Sequence, residues 1–233
     1  MGLRTIMACL AAGLLLVGAS GAAEGATITQ IVNYGGIPNV SQPLAFNQFN
    51  DLGGTLTLQS IEVLVDFDAD GGRLVLDNDA AGAAAGTFEF GAKAAVSSLD
   101  VPLLDAASLA VVGDMAAVHT QAFAIGGNVG DGANDYDPSA PDGLAYDGTP
   151  ESDSDSGFIG AAYFASYTGA GTYNITIDVS QWQDFGGIGG IEWAVSPVTT
   201  SGTVTVVYTY VPEPATLTLL GLGGLGLLIR RKR

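Results

Sequence analysis

The segment IEVLVDF at residues 61–67 decides the fold class of this chain. Its apolar side chains fall at every second position, with Glu62, Leu64 and Asp66 between them. Successive side chains of a β-strand point to opposite faces, so a period of two is typical of a strand with one buried face. The segment therefore predicts a β-strand that covers a hydrophobic core.

The same period recurs in TYNITIDV at residues 172–179 and in TVTVVYTY at residues 203–210. Weaker strand candidates lie at residues 27–34, 74–76, 87–94, 118–125, 161–167 and 191–195. About nine short strands separated by glycine-rich turns predict an all-β protein, an antiparallel β-sandwich of the jelly-roll kind. The one candidate helix is the Ala- and Leu-rich stretch at residues 103–112.

The charge of the 233 residues is −17 at neutral pH and is unevenly distributed. Residues 24–210 contain 23 Asp and Glu residues against Arg73 and Lys93, which is a formal charge of −21. Binding to nucleic acid needs a basic surface that displaces counterions from phosphates, so this composition excludes a nucleic-acid partner. The body is apolar enough and long enough to bury one core, which favours a single domain at residues 24–210.

The first 23 residues have the order of a secretory signal peptide. Arg4 supplies the positive charge, residues 6–17 are an apolar run, and small residues lead to a cleavage point after Ala23. We therefore expect the secretory translocon and signal peptidase as partners. Cys9, the only cysteine, lies inside this segment, so the mature chain would hold no thiol for a disulfide or a metal.

The C-terminus, residues 211–233, has three parts. It begins with Val211, Pro212, Glu213 and Pro214, continues with fifteen apolar or small residues at 215–229, and ends with Arg230, Arg231, Lys232 and Arg233. Fifteen helical residues rise about 22 Å, which makes a short single membrane span. The four terminal cations predict a membrane stop with that end in the cytoplasm. The two prolines predict an extended joint outside the membrane that ends any strand arriving from the body.

This tail resembles the PEP-CTERM protein-sorting signal, with Pro212, Glu213 and Pro214 as its motif. In that family an exosortase, an integral-membrane cysteine transpeptidase of Gram-negative bacteria that make exopolysaccharide, recognises the tail. The resemblance implies that the protein is exported, held briefly in the inner membrane by its C-terminal helix, and passed to the cell surface or extracellular matrix. It also implies exosortase as a partner and an association with exopolysaccharide and biofilm.

The body is similar to the choice-of-anchor E domain. The segment FNQFNDLGGTL at residues 46–56 is similar to the opening of that family, and residues 164–173 and 204–210 are similar to its later strands. The resemblance implies an extracellular β domain that is shared among proteins with different surface anchors.

A calcium site is one interpretation of the segment DFDADGGRLVLD at residues 66–77. Asp66, Asp68, Asp70 and Asp77 stand at positions 1, 3, 5 and 12 of a calcium loop, with Gly71 at position 6. Alternating carboxylates can wrap Ca²⁺, and glycine permits the sharp turn. The alternative is a β-hairpin turn at residues 70–72, because Asp-Gly is a common hairpin turn and both flanks have strand patterns.

A second acidic segment lies at residues 128–157 and carries eight carboxylates without Lys or Arg. A solvated acidic loop is one interpretation, and weak Ca²⁺ binding of the kind found in extracellular modules is the other.

The sequence offers little for catalysis. His119 is the only histidine and no Gly-x-Ser-x-Gly motif accompanies it. A glycosidase needs two opposed carboxylates beside sugar-stacking aromatic rings. The residues available for such a site are Glu62, Glu89, Glu192, Trp182 and Trp193.

The sequence therefore predicts an exported, non-enzymatic surface or matrix protein with no catalytic residue and no cofactor. The aspartates of residues 66–77 are the candidate site if Ca²⁺ binds. Two alternatives stay open. One is a calcium-dependent carbohydrate-binding module, and the other is a carbohydrate-active enzyme with paired carboxylates.

Overall fold

The computed structural model describes residues 25–130, 136–139 and 141–213. The predicted signal peptide, residues 214–233 and the acidic residues Asp131 and Asp135 lie outside this range. The strands are β1 (Ala26–Gly36), β2 (Val40–Asn47), β3 (Leu56–Asp70), β4 (Arg73–Asn78), β5 (Ala84–Ser97), β6 (Met115–Ile125), β7 (Gly143–Asp147), β8 (Glu151–Phe158), β9 (Thr172–Asp184), β10 (Ile191–Ser196) and β11 (Thr199–Pro212). A 3-10 turn at Ala161–Tyr163 leads into a single helical turn, α1 (Phe164–Tyr167). Within the described ranges, no helix has the length and apolar character to cross a bilayer.

The strands form three sheets in which all neighbours are antiparallel. Sheet I has the order β1-β11-β3-β8, sheet II the order β2-β9-β5-β6, and sheet III the order β10-β4-β7. Rings of sheets I and II meet at Tyr173 and Tyr208, and rings of sheets II and III meet at Phe88 and Tyr146. Sheets I and III therefore pack on the same face of sheet II.

Sheets I and III are two parts of one bent layer. Strand β3 continues into β4 through Gly71 and Gly72, β7 continues into β8 through residues 148–150, and β10 continues into β11 through Pro197 and Val198. The N–H of Gly148 donates to the carbonyl of Gly72 at 3.0 Å where these breaks meet. We call this line of breaks the corner. Glycine is needed there because a Cβ at Gly148 would overlap the carbonyl oxygen of Gly71.

If β3–β4, β7–β8 and β10–β11 are each counted as one bent strand, eight strands remain, which we number 1 to 8 in chain order. Sheets I and III together have the order 1-8-3-6, and sheet II has the order 2-7-4-5. This is the connectivity of a jelly roll, in which two Greek keys wrap around one core. The structure therefore confirms the predicted all-β antiparallel sandwich.

The core follows the period of two in the sequence. The apolar positions of residues 61–67 are buried on β3, and those of β9 and β11 face them from the two layers. Fully buried aromatic side chains fill the centre; these are Tyr167, Tyr173, Tyr208, Phe46, Phe49, Phe67, Phe88 and Phe90.

Both ends of the described body lie at one end of sheet I. Ala26 at the start of β1 is the register partner of Tyr210 on β11. The chain therefore enters and leaves the sandwich side by side, next to the point where the sorting motif begins.

Two predicted elements are wrong. Residues 161–167 form the 3-10 turn and α1 instead of a strand, because the spacing of Tyr163, Phe164 and Tyr167 suits a helical turn that buries Tyr167. The candidate helix at residues 103–112 is a loop. There, one carboxylate oxygen of Asp105 accepts hydrogen bonds from the N–H groups of Ala107 and Leu109, which competes with helical hydrogen bonding.

The hairpin interpretation of residues 70–72 is also wrong. Strands β3 and β4 pair with other strands and not with each other, because Gly71 and Gly72 carry the chain across the corner.

Candidate functional site

The sorting motif begins inside the sandwich. Strand β11 continues past Tyr210, so that Val211 is the register partner of Thr57 and Pro212 that of Leu56 on β3. The backbone N–H of Glu213 then donates to the carbonyl of Thr55 at 2.8 Å. Val211 and Pro212 belong to the last strand, which ends at the first proline, so the extended joint can begin only after Pro212.

Proline is tolerated here because of its position on the strand. A proline has no N–H for a second ladder, and such residues occur where a strand lacks a neighbour on one side. Strand β1 pairs with β11 only from Ala26, opposite Tyr210. Beyond Tyr210, the described strand that pairs with β11 is therefore β3 alone.

The turn at residues 50–55 shapes the edge that receives the motif. The carboxamide of Asn50 accepts the N–H of Leu52 at 2.9 Å, and the carboxylate of Asp51 accepts the N–H of Gly53 at 3.1 Å. The carbonyl of Asp51 also accepts the N–H of Leu56 at 3.1 Å. Short polar side chains that bond to the backbone two residues ahead are typical of tight turns. The turn thereby fixes the start of β3 beside the motif.

The buried ring of Phe49 packs against the C-terminal end of β11. The ring centroid of Phe49 lies 5.8 Å from that of Tyr208 and 5.5 Å from that of Tyr210. Its N–H donates to the carbonyl of Tyr167 at 2.7 Å, and its carbonyl accepts the N–H of Gly169 at 2.9 Å. Residues 46–56, 164–173 and 204–210, the three segments on which the predicted resemblance to the choice-of-anchor E domain rests, therefore contact one another where residue 211 begins.

An open groove of about 320 Å³ lies beside Glu213. Its lining comes from the turn, from β3 and from the loop after α1, and includes Asp51, Leu56, Thr168 and Glu213. Of the other predicted sorting residues, Pro214, Arg230, Arg231, Lys232 and Arg233 lie outside the described residues.

The four predicted calcium ligands do not form a loop. Asp66, Asp68 and Asp70 project from the exposed face of strand β3, whereas Asp77 lies on β4 beyond the corner with an exposure of 2%. A strand spreads alternate side chains along a line, so it cannot wrap them around one ion as an EF-hand loop does. Among the described residues, no group of three or more His, Cys, Asp or Glu side chains is arranged to hold a metal ion.

The second half of the acidic segment is not a loop. Residues 143–147 and 151–158 form β7 and β8, and β8 is the edge strand of sheet I. Along β8 the serines at 152, 154 and 156 point to one face and the acidic residues at 151, 153 and 155 point to the other. The sequence therefore did contain the period of two that is typical of a strand, but in polar residues. The interpretation of residues 128–157 as one long loop is therefore wrong.

The carboxylates of β8 close one side of the sandwich. Asp155 accepts the N–H of Gly113 at 2.7 Å, and Asp153 accepts the N–H of Ala116 at 2.8 Å on the edge strand β6. The Glu151 carboxylate lies 2.9 Å from Nδ1 of His119. Asp153 thereby satisfies a backbone donor of the edge strand β6, and Asp155 satisfies one just before that strand, which would otherwise be presented to a second chain. The alternation of Ser and Asp at residues 152–156 is the only sequence signal of this role, and it carries no apolar period that would mark a strand.

The candidate catalytic carboxylates lie on three different sheets. Glu62 is on β3, Glu89 on β5, and Glu192 on β10, where its register partner is Asp77. His119 stacks on Tyr146 at a centroid distance of 4.9 Å in addition to its contact with Glu151. The structure thus brings Glu192 next to a buried carboxylate but does not bring Glu62 and Glu89 together.

Trp182 lies on the outer face of sheet II between two charged side chains. Its indole N–H donates to Glu89 at 2.7 Å, and the ammonium of Lys93 lies 3.3 Å from its ring centroid. This cation–π contact covers one face of the ring, so that face is not free to stack on a sugar. Trp193 on β10 is 43% exposed and packs against Phe185.

Solved structures with some similarity come from infectious bursal disease virus. A chain from the T13 viral particle is 14% identical, with 89% of this chain and 40% of that chain covered and a TM-score of 0.21. A chain from the VP2 subviral particle is also 14% identical, with 91% and 50% covered and a TM-score of 0.19. The chain spans half or less of these viral chains, and at such TM-scores the similarity establishes neither a shared fold nor a shared function. No curated protein matches the chain.

One protein-family model matches, and it describes the PEP-CTERM protein-sorting motif at residues 211–233. The similarity of the body to the choice-of-anchor E domain stays a prediction. The C-terminal segment of this chain is therefore a PEP-CTERM sorting motif, and its first three residues lie against β3 of the jelly roll.

Proposed function

We propose that this chain is an exported, non-enzymatic protein of the cell surface or extracellular matrix, sorted by an exosortase of a Gram-negative bacterium. The observation that carries the proposal is the match of residues 211–233 to the PEP-CTERM protein-sorting motif. That motif supports export and membrane-associated sorting. The role of the sandwich after sorting is structural, as an acidic module of the exopolysaccharide matrix or biofilm.

The surface of the sandwich supports a structural role. The exposed face of β3 carries Asp66, Asp68 and Asp70, and the body as a whole has only Arg73 and Lys93 as basic residues. Copies of such a module repel one another at low ionic strength, which keeps them dispersed in a hydrated matrix. The candidate catalytic carboxylates Glu62, Glu89 and Glu192 lie on separate sheets, and Asp77, the register partner of Glu192, is buried.

The experiment compares the native host with a strain that lacks its exosortase. An antiserum against the sandwich follows the protein through inner-membrane, surface and medium fractions, and mass spectrometry of the purified product defines its C-terminus. We expect a shortened protein at the surface or in the medium of the native host, and a full-length tail in the inner membrane of the other strain. The same C-terminus and the same distribution in both strains would contradict the proposal.

A matched pair of variants tests the motif itself. Glu213→Ala with Pro214→Ala alters the motif, whereas Asp68→Ala with Pro43→Ala removes one carboxylate and one proline from exposed strand positions elsewhere. We expect the first pair to accumulate in the inner membrane and the second pair to be sorted like the native protein.

Binding of a polysaccharide is a second candidate function, and a groove on the outer face of sheet II favours it. The groove has a volume of about 510 Å³, which lies in the range of small-molecule sites. Its floor is apolar at Val40 and Ala95, and its polar side chains are Asn39, Ser41, Lys93, Asp114, Asp178 and Ser180. Lys93 is held in place over Trp182, so one donor of the groove is already positioned.

A glycan array with and without several millimolar Ca²⁺ tests this second function. We expect binding that Asp178→Ala abolishes and that the control Asp68→Ala, on sheet I, leaves unchanged. Binding in the absence of Ca²⁺ would favour the groove over a calcium-dependent module. A native protein that binds no glycan above background would exclude this function for the glycans on the array.

A further inference from the structure

The sandwich holds the first three residues of the sorting motif. Val211 and Pro212 are paired with Thr57 and Leu56, and Glu213 donates its N–H to Thr55. An enzyme that reads a peptide in an extended conformation needs access to the same backbone and side-chain groups. In the folded protein, these groups are in part occupied by strand β3.

The folded arrangement also leaves little chain between the sandwich and the membrane. With Glu213 bonded to Thr55, only Pro214 separates the sandwich from the predicted span that begins at residue 215. An extended residue spans about 3.3 Å, so releasing residues 211–213 adds roughly 10 Å of reach. Pro212 and Glu213 are exposed in the folded protein, so the pairing occupies their backbone edge and not their side chains. That backbone edge becomes accessible only when this end of β11 leaves β3.

The end of β11 is built to separate without unfolding the rest. Strand β1 flanks β11 as far as Tyr210, and the ring of Tyr210 rests on Phe49. The pairing of β11 with β3 has a bulge between Thr209 and Tyr210, one residue before the two-sided part of the strand ends. Beyond Tyr210, the described strand that holds β11 is β3 alone, and short one-sided strand ends open at far lower free energy than a whole domain.

We propose that the jelly roll masks its own sorting motif and that detachment of residues 211–213 from β3 controls access of the sorting enzyme. This inference rests on the proposed function, because it assumes that an exosortase acts on the motif. The folded protein is then a poorer substrate than one whose strand end is detached. The rate of sorting then depends on whether residues 211–213 are paired with β3 or detached from it.

A disulfide across the strand pair tests the proposal in the native host. Thr57→Cys with Val211→Cys joins two register partners, and Leu64→Cys with Thr205→Cys joins two partners farther along the same strands as a matched control. Antiparallel partners have the Cα separation that a disulfide requires, and both pairs form in an oxidising envelope. The native chain has only Cys9, within the predicted signal peptide, so no other thiol in the exported body interferes.

The readout is the ratio of full-length to shortened protein in a pulse-chase experiment. We expect at least a tenfold accumulation of the full-length form when the bridge between positions 57 and 211 is oxidised, recovery on addition of a reductant, and the native rate for the control bridge. Native-rate processing of the oxidised first bridge would overturn the proposal. If the native protein itself is not shortened in a strain with exosortase, the proposed function fails, which is a distinct result.

A second measurement does not depend on disulfide formation. In the purified full-length protein in detergent, amide hydrogen exchange of Glu213 should be at least tenfold slower than in an unstructured chain, because that N–H donates to Thr55. An insertion of Gly-Ser-Gly between Tyr210 and Val211 should remove that protection and raise the processing rate several-fold. The same insertion between Leu99 and Asp100, where Leu99 is fully exposed, is the control. An unprotected Glu213 amide in the native protein would also overturn the proposal.

Discussion

The hydroxyl groups of Tyr173 on β9 and Tyr208 on β11 lie 2.7 Å apart in the core between the two layers. Tyr208 also donates to the backbone carbonyl of Asn47 at 3.1 Å, so Tyr173 is the donor within the pair. The two layers are thereby joined by a polar chain through an aromatic core. Burial raises the pKa of Tyr208 to about 12 and moves the pKa of Tyr173 above its usual range, so both rings stay neutral at physiological pH.

Removing the two hydroxyls should have unequal effects. Tyr173→Phe leaves Tyr208 bonded to Asn47, so we expect a loss of about 1 kcal/mol in the free energy of unfolding. Tyr208→Phe leaves the buried Tyr173 hydroxyl without its acceptor, and we expect a loss of about 2 kcal/mol. Urea denaturation of both variants measures the difference. Equal losses would contradict the assigned donor direction.

The buried tyrosines should make the protein unstable in alkali. Burial is the largest cause of the raised pKa at each of Tyr34, Tyr167, Tyr173 and Tyr208. An unfolded tyrosine ionises near pH 10, while the folded residue keeps its proton, so the unfolded state gains stability as pH rises through this window. Each such tyrosine lowers the free energy of unfolding by about 1.4 kcal/mol per pH unit between its two pKa values.

The measurement is a titration from pH 8 to 13 that follows tyrosinate absorbance and circular dichroism together. Below about pH 10, we expect these tyrosines to leave the free energy of unfolding unchanged. Above that pH, we expect the protein to unfold cooperatively, with the buried tyrosines ionising in the same transition. Ionisation of all eight tyrosines below pH 11 with an intact fold would count against the burial of these rings.

The strands that the sequence predicted are those in which the apolar side chains mark the period. Residues 61–67, 172–179 and 203–210 all lie within strands, and each strand is longer than its apolar pattern. Strand β2 was missed because Pro43 interrupts its pattern, which an edge strand tolerates. Strand β8 was missed because its alternation is of Ser with Asp, and period-two patterns are usually sought in apolar residues.

The site shows a different limit of sequence reasoning. The motif at residues 211–214 was recognisable from its composition and position, but its pairing with β3 depends on residues 55–57, which are far away in sequence. Likewise, the spacing of Asp66, Asp68 and Asp70 suits both a calcium loop and a strand, and only the pairing of β3 with β8 and β11 decides between them. Non-local contacts of this kind leave no local pattern.

The corner should be sensitive to a single methyl group. A Cβ at Gly148 would overlap the carbonyl of Gly71, and backbone cannot move aside as a flexible side chain can. We therefore expect Gly148→Ala to lower the free energy of unfolding by about 3 kcal/mol or more, as overpacking against a fixed neighbour does. Gly189→Ala is the matched control because its Cβ would meet nothing within 4 Å. Thermal denaturation of the two variants compares them, and similar midpoints would contradict the described corner.

The acidic side chains of β8 should act as hydrogen-bond acceptors for the edge of β6. Asp155→Ala removes the acceptor of the Gly113 N–H, and Asp153→Ala removes that of the Ala116 N–H. We expect each variant to lose about 1 kcal/mol in the free energy of unfolding, a modest value because both bonds are exposed to solvent. Amide hydrogen exchange should become faster at Gly113 in the first variant and at Ala116 in the second.

Two comparisons separate hydrogen bonding from charge at this edge. Asp155→Asn and Asp153→Asn keep a carbonyl oxygen that can accept the same N–H, so we expect smaller losses than for alanine. Ser154→Ala and Ser156→Ala alter the opposite face of β8 and should leave both amides protected. If Asp153→Ala and Asp155→Ala are as stable as Ser154→Ala and Ser156→Ala and leave amide exchange unchanged, the carboxylates do not close the edge.

The closure of this edge also predicts that Asp153→Ala combined with Asp155→Ala promotes self-association, since an unpaired strand edge is a template for pairing with another chain.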